Sequence, residues 1–156
     1  MQLLLMRHGE AEPYSTNDQS RQLTAHGVVQ AEYAGEWLQR KFGSVDLALV
    51  SPFIRAQQTY AAVSQKITVK TKQDSTDIVP SGRPEVVHDY VDVLLQERQA
   101  VQSLILVCHM PIVSFLVDQF CQQHMSTMFA TSAIAHIEYD VAASKGRIVE
   151  LYKPRL

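Results

Sequence analysis

Leu3-Leu4-Leu5-Met6-Arg7-His8-Gly9 is an apolar run that ends abruptly in a fixed cation, an imidazole and a glycine. A strand apolar at every position is buried on both faces, as in a parallel sheet covered by helices. The same pattern recurs down the chain: strands over Leu47 to Val50, Ile67 to Thr71 and Leu104 to Val107 alternate with helical stretches over Val28 to Phe42, Pro52 to Lys66, Pro84 to Arg98 and Pro111 to Cys121. Alternation of this kind predicts an α/β fold, a three-layer α/β/α sandwich around a mostly parallel sheet. Two last strands, Ala133 to Tyr139 and Arg147 to Tyr152, flank Ser144, Lys145 and Gly146 and predict an antiparallel hairpin at the sheet edge. Polar, turn-forming residues over Glu10 to Leu23 and Gln73 to Pro84 predict loops.

At 156 residues with 46% hydrophobic content, the chain fits one domain over 1–156. In the first helix Val28, Ala31, Ala34, Leu38 and Phe42 form one stripe facing the sheet, with Trp37 packing beside it and Thr24 as the N-cap. A net charge of −2 gives no general positive field for nucleic acid or anionic lipid. Cys108 and Cys121 lie in apolar stretches outside any C-x-x-C pattern and read as reduced packing residues, which makes the cytosol the expected compartment. The first residues are too few and carry no basic leader for a signal peptide, and no apolar run approaches membrane-spanning length.

Chemistry concentrates where strands end. Arg7 offers a planar fork of donors suited to phosphate or carboxylate oxygens, and neutral His8 offers a nucleophilic nitrogen near pH 7. Gly9 lets the backbone turn and approach a ligand closely. The second strand exits into Ser51 and Pro52, read as an N-cap and a helix-starting proline, which puts Arg55 in the first turn beside free amides. The fourth exits through Cys108 into His109, Met110 and Pro111. Ligands of parallel sheets bind outside the carboxyl ends of the strands, so Arg7, His8, Arg55 and His109 are expected around one crevice.

With those residues in view, Leu5-Met6-Arg7-His8-Gly9-Glu10, Leu23-Thr24-x-x-Gly27, Ser51-Pro52-Phe53-x-Arg55-Ala56-x-x-Thr59 and Cys108-His109-Met110-Pro111 resemble the histidine phosphatase superfamily. The size of the chain and Thr131-Ser132-Ala133-Ile134-Ala135 resemble its SixA branch of phosphohistidine phosphatases. The resemblance implies that His8 becomes phosphorylated and that Arg7, Arg55 and His109 bind the phosphoryl oxygens. It also implies a general acid after the third strand, where Asp77 stands, with Asp74 as competitor; either is equally a turn residue. Ser132 and Thr131 either line the pocket or open a strand with a hydroxyl on the turn, and Glu10 either pairs with Arg7 or is solvated. His88, His124 and His136 carry no motif. No metal or other cofactor is expected, since protein groups meet the anionic charge and no H-E-x-x-H or carboxylate cluster is present.

Larger members of the superfamily carry insertions over the pocket, and this chain has none of appreciable length. The resemblance therefore implies phosphohistidine on a signalling protein, such as the phosphotransfer domain of a sensor kinase or a phosphocarrier, met by a monomer. Alternatives are a phosphomonoesterase for sugar phosphates or nucleotides, a phosphoglycerate mutase, and a non-catalytic phosphate-binding adaptor.

Overall fold

The computed structural model describes residues 1–13 and 15–156. Its elements run β1 (Gln2–Arg7), α1 (Ala25–Phe42), β2 (Ser44–Val50), α2 (Ile54–Ser64), β3 (Thr68–Asp74), α3 (Pro84–Glu97), β4 (Ser103–Cys108), α4 (Ile112–Cys121), β5 (Ile134–Asp140) and β6 (Lys145–Tyr152), with 3-10 turns at Asp18–Ser20 and Thr76–Ile78. The six strands form one sheet in the order β3-β2-β4-β1-β5-β6. The first four are mutually parallel, while β5 runs antiparallel to β1 and β6 antiparallel to β5.

The continuous apolar run of β1 serves two cores because successive side chains point to opposite faces. Leu3 and Leu5 pack with Val87, Val91, Leu116 and Phe120 of α3 and α4. Leu4 and Met6 pack with Ala31, Ala34, Leu38 and Ala56 of α1 and α2. This is the three-layer arrangement expected from the sequence. The strand order also puts β2, β4 and β1 side by side, so the three exits that carry polar chemistry are neighbours.

Local chemistry moves several boundaries. Helix α1 starts at Ala25 because the Thr24 hydroxyl accepts the Gly27 amide at 3.0 Å. Val28 does not join the buried stripe and is 36% exposed. Gly27 takes the inward position instead, packed so tightly that a Cβ there would lie 2.0 Å from the Glu10 carbonyl oxygen. Strand β3 extends to Asp74, in register with Val50, through residues expected to be loop. Ser51 and Pro52 do not start α2: Phe53 is its N-cap, without a capping side-chain bond. The Ser51 hydroxyl accepts the Phe53 amide at 3.3 Å and also faces a ring nitrogen just beyond the end of β4. Trp37 packs as expected, stacked on Tyr152 with centroids 4.6 Å apart.

Candidate active site

His8 follows β1 directly, and its backbone is fixed on two sides: its amide donates to the Cys108 carbonyl at 3.0 Å and its carbonyl accepts from the Ser132 amide at 3.0 Å. Its ring is buried, with both nitrogens engaged. Nδ1 lies 2.7 Å from the Gly9 carbonyl oxygen, which can only accept, so Nδ1 carries the proton. Arg55 Nε, which can only donate, points at Nε2 from 3.2 Å. Both bonds enforce one tautomer, with a basic lone pair on Nε2. Burial is the main cause that lowers the His8 pKa from 6.5 to about 4, opposed by the bond to Gly9 and reinforced by the charges of Arg55, Arg7 and Arg21. The ring is therefore neutral across the physiological range.

Arg55 stands in the first turn of α2, almost fully buried. Its terminal nitrogens are held by Asp18: Nη1 donates to the Asp18 carbonyl at 2.6 Å and Nη2 to its carboxylate at 3.0 Å. Arg21 pairs with the other carboxylate oxygen at 3.0 Å. Burial, the largest single effect, pushes the Asp18 carboxyl up, but the hydrogen bonds and charges of Arg21 and Arg55 together outweigh it and hold the group below the usual carboxylate range. Asp18 thus turns the Nε edge of Arg55, and not its fork, toward His8. The polar β1–α1 segment gave no motif for Asp18 or Arg21, and their role depends on a contact 37 residues away in sequence.

Thr59, wholly buried one turn after Arg55, accepts the Gly9 amide at 2.9 Å and donates to the Arg55 carbonyl at 2.7 Å. That pair of bonds ties α2 to the turn that carries His8. The turn itself is close-packed, since a Cβ on Gly9 would lie 2.6 Å from the Gly27 carbonyl oxygen.

His109, at the end of β4, lies with its ring centroid 5.1 Å from that of His8 and 5.0 Å from that of Phe53. Its Nε2 is 2.7 Å from Ser51 Oγ. Burial, followed by the neighbouring His8 and Arg55, drives its pKa well below the ordinary imidazole value. Arg7 anchors one arm on the Phe129 carbonyl at 2.7 Å. Glu10 does not pair with it: the Glu10 carboxylate accepts from the Thr24 hydroxyl at 2.9 Å. Among the described residues, Arg7 Nε, His109 Nδ1 and Ser132 Oγ are buried without a hydrogen-bond partner. Ser132 adopts φ +59°, and its hydroxyl caps no turn.

The expected convergence therefore holds for His8, Arg55 and His109, with Arg7 at the same strand end. Asp77 lies on the same edge of the sheet: the Ser75 amide donates to the Val50 carbonyl at 2.9 Å, and the Ser75 hydroxyl accepts the Asp77 amide at 3.3 Å. Asp74 is committed elsewhere, to Gln57 at 2.9 Å and Lys72 at 3.0 Å.

A cationic cradle beside a neutral, tautomerically fixed histidine suits the capture of a tetrahedral anion and attack upon it. The sequence model of the histidine phosphatase superfamily (branch 1) matches residues 3–76. Together with relatives about one-third identical to it over most of both chains, that match shows that the chain belongs to the histidine phosphatase superfamily, in its SixA branch. It is 34% identical over 148 residues to the phosphohistidine phosphatase SixA homolog of Haemophilus influenzae, spanning 90% of this chain and 89% of that one. To the phosphohistidine phosphatase SixA of Escherichia coli it is 33% identical over 141 residues, spanning 90% and 86%. The solved structure of the protein histidine phosphatase SixA complexed with tungstate matches with a TM-score of 0.93 at 31% identity, over 99% of this chain and 97% of that one.

Proposed function

We propose that this protein is a phosphohistidine phosphatase acting on a histidine-phosphorylated signalling protein through a covalent intermediate on His8. The observation that carries the reading is the opposed pair of bonds on the His8 ring, which presents the Nε2 lone pair as nucleophile. Its relatives' names supply the substrate chemistry.

In the first step Nε2 attacks phosphorus in line. The bond from phosphorus to the substrate nitrogen breaks, and the substrate imidazole leaves with the electron pair. In the second, water attacks phospho-His8, the phosphorus–nitrogen bond returns its pair to Nε2, and inorganic phosphate departs. Splitting the transfer this way replaces one difficult displacement by two easier ones. Arg55, Arg7, His109 and the Ser132 hydroxyl supply donors to the oxygens on which charge spreads. Asp77 is the proposed acid for leaving groups poorer than imidazole. Asp77→Asn should accordingly slow phosphoester hydrolysis more than phosphohistidine hydrolysis, and equal loss on both substrates would remove that role.

The partner is read as a sensor-kinase phosphotransfer domain or a phosphocarrier. The four groups come from one chain, which supports action as a monomer. Two unpaired, buried cysteines fit a reducing compartment such as the cytoplasm. No helix among the described residues is long and apolar enough to cross a membrane. Rapid-quench labelling with 32P-phosphorylated partner protein tests the whole reading: the label should pass transiently to wild-type enzyme and not to His8→Ala, whose turnover should vanish. Full turnover by His8→Ala would overturn it, and faster hydrolysis of sugar phosphates than of phosphohistidine protein would favour a small-molecule phosphatase.

A further inference from the structure

Ser51 is wholly buried, and its hydroxyl has two neighbours that together leave one consistent assignment of protons. The Phe53 amide donates to Oγ at 3.3 Å, and His109 Nε2 lies at 2.7 Å. His109 Nδ1 has no partner in either tautomer, so the Ser51 hydroxyl decides between them: were Nε2 protonated, Oγ would accept twice and its own proton would face no acceptor among the described residues. A buried hydroxyl proton without an acceptor is costly. With Nε2 unprotonated, Ser51 receives from Phe53 and donates to His109, and the single ring proton sits on Nδ1.

We infer that Ser51 is a positioning residue that locks His109 in the Nδ1–H tautomer, so that its one remaining proton is available as a donor to a phosphoryl oxygen. The inference rests on the phosphatase reading for its consequence and on hydrogen bonding alone for its geometry. The lock matters because a neutral imidazole can donate from only one nitrogen, and the opposite tautomer would turn a lone pair against an anion. Phe53, packed edge-on against His109, restrains the ring on a second side. The two histidines of the site are thereby set by different devices: His8 by a backbone carbonyl and an arginine, His109 by a serine.

The test is ring 15N NMR of the full-length protein at neutral pH, with His109 assigned through His109→Gln. Wild type should show protonated Nδ1 and bare Nε2 at His109. Ser51→Ala should shift this residue toward the Nε2–H form, with unchanged His8 signals and an intact amide spectrum. In parallel, kcat on phosphohistidine protein should fall roughly 10²-fold with little change in KM, the usual loss for one transition-state donor. Ser51→Thr, which keeps the hydroxyl, should recover both the tautomer and most of the rate. Protonated Nε2 in the wild type would overturn the inference, as would an unchanged tautomer or an unchanged kcat in Ser51→Ala. If wild type shows the expected tautomer but transfers no label to His8, it is the phosphatase reading that fails and the ring assignment that stands.

Discussion

Burial of His8 sets how the protein responds to acid. Its pKa falls from 6.5 in the unfolded chain to about 4 in the folded one. Between those values the unfolded state binds a proton that the folded state does not, so stability rises with pH across this window and is lost as pH falls through it. Denaturant unfolding at a series of pH values should show that slope, and His8→Asn should reduce it, leaving the share of His109 and His136, whose pKa values burial also lowers; an undiminished slope in the variant would assign it wholly to other groups. Turnover should persist through mild acid and fail only as the nucleophile protonates near pH 4. Asp18 makes a second prediction. Its backbone carbonyl holds one terminal nitrogen of Arg55 and its carboxylate the other, so Asp18→Ala, which removes the carboxylate bond, should let the guanidinium drift from His8 and lower kcat by about tenfold, since small misplacements of reacting groups are costly. Steady-state rates on phosphohistidine protein would check this, and unchanged kcat would show that Arg55 holds its place without the carboxylate.

At the scale of elements, the turn after β1 and the first turn of α1 are built against each other with no room for side-chain atoms. Gly27→Ala would place a Cβ on the Glu10 backbone, which cannot swing aside as a side chain could. The helix must retreat, at a cost of about 1–3 kcal/mol for overpacking, and the His8 turn should move with it. A lowered Tm together with a loss of activity is the expected result, and wild-type values for both would show that the contact is easily relieved. The element starts also show how far local sequence reaches. Thr24 caps α1 as its sequence suggests, because the cap and the amide it binds are three residues apart. Ser51 has the residue type and position of a cap but serves His109, 58 residues away. Val28 follows the helical period yet is displaced from the core, because α1 meets the loop along Gly27.

Across the whole molecule, the two ends of the sheet do different work. The carboxyl ends of β1, β2 and β4 carry the site, while the far end holds a polar cluster under the β5–β6 hairpin. There the Tyr139 hydroxyl donates to Asp92 and lies 2.9 Å from His88 Nε2, which is also 2.9 Å from the Ser144 hydroxyl. Burial, then the bond to Asp92, pushes the Tyr139 pKa up. His88, which carried no motif, is thus a structural histidine that pins the hairpin turn to α3. Tyr139→Phe strips partners from His88 and Asp92 and should cost about 1–3 kcal/mol. Its kcat should match wild type, because Tyr139 hydrogen-bonds Met1 at the opposite end of β1 from His8. Thermal unfolding and rate measurements together check this; lost activity in a folded variant would show that the two ends are coupled.

Short-range periodicity and strand-end residue types determined the layered fold and the residues that meet at its edge, because burial on both faces of a strand and the start of a helix are written in adjacent positions. The strand order β2-β4-β1 decided the rest. It brought Asp18 to Arg55, Ser51 to His109 and Thr59 to Gly9. Which nitrogen of each histidine bears the proton is fixed by such long-range hydrogen bonds, whose partners are chosen by the packing of whole elements and leave no local pattern along the chain.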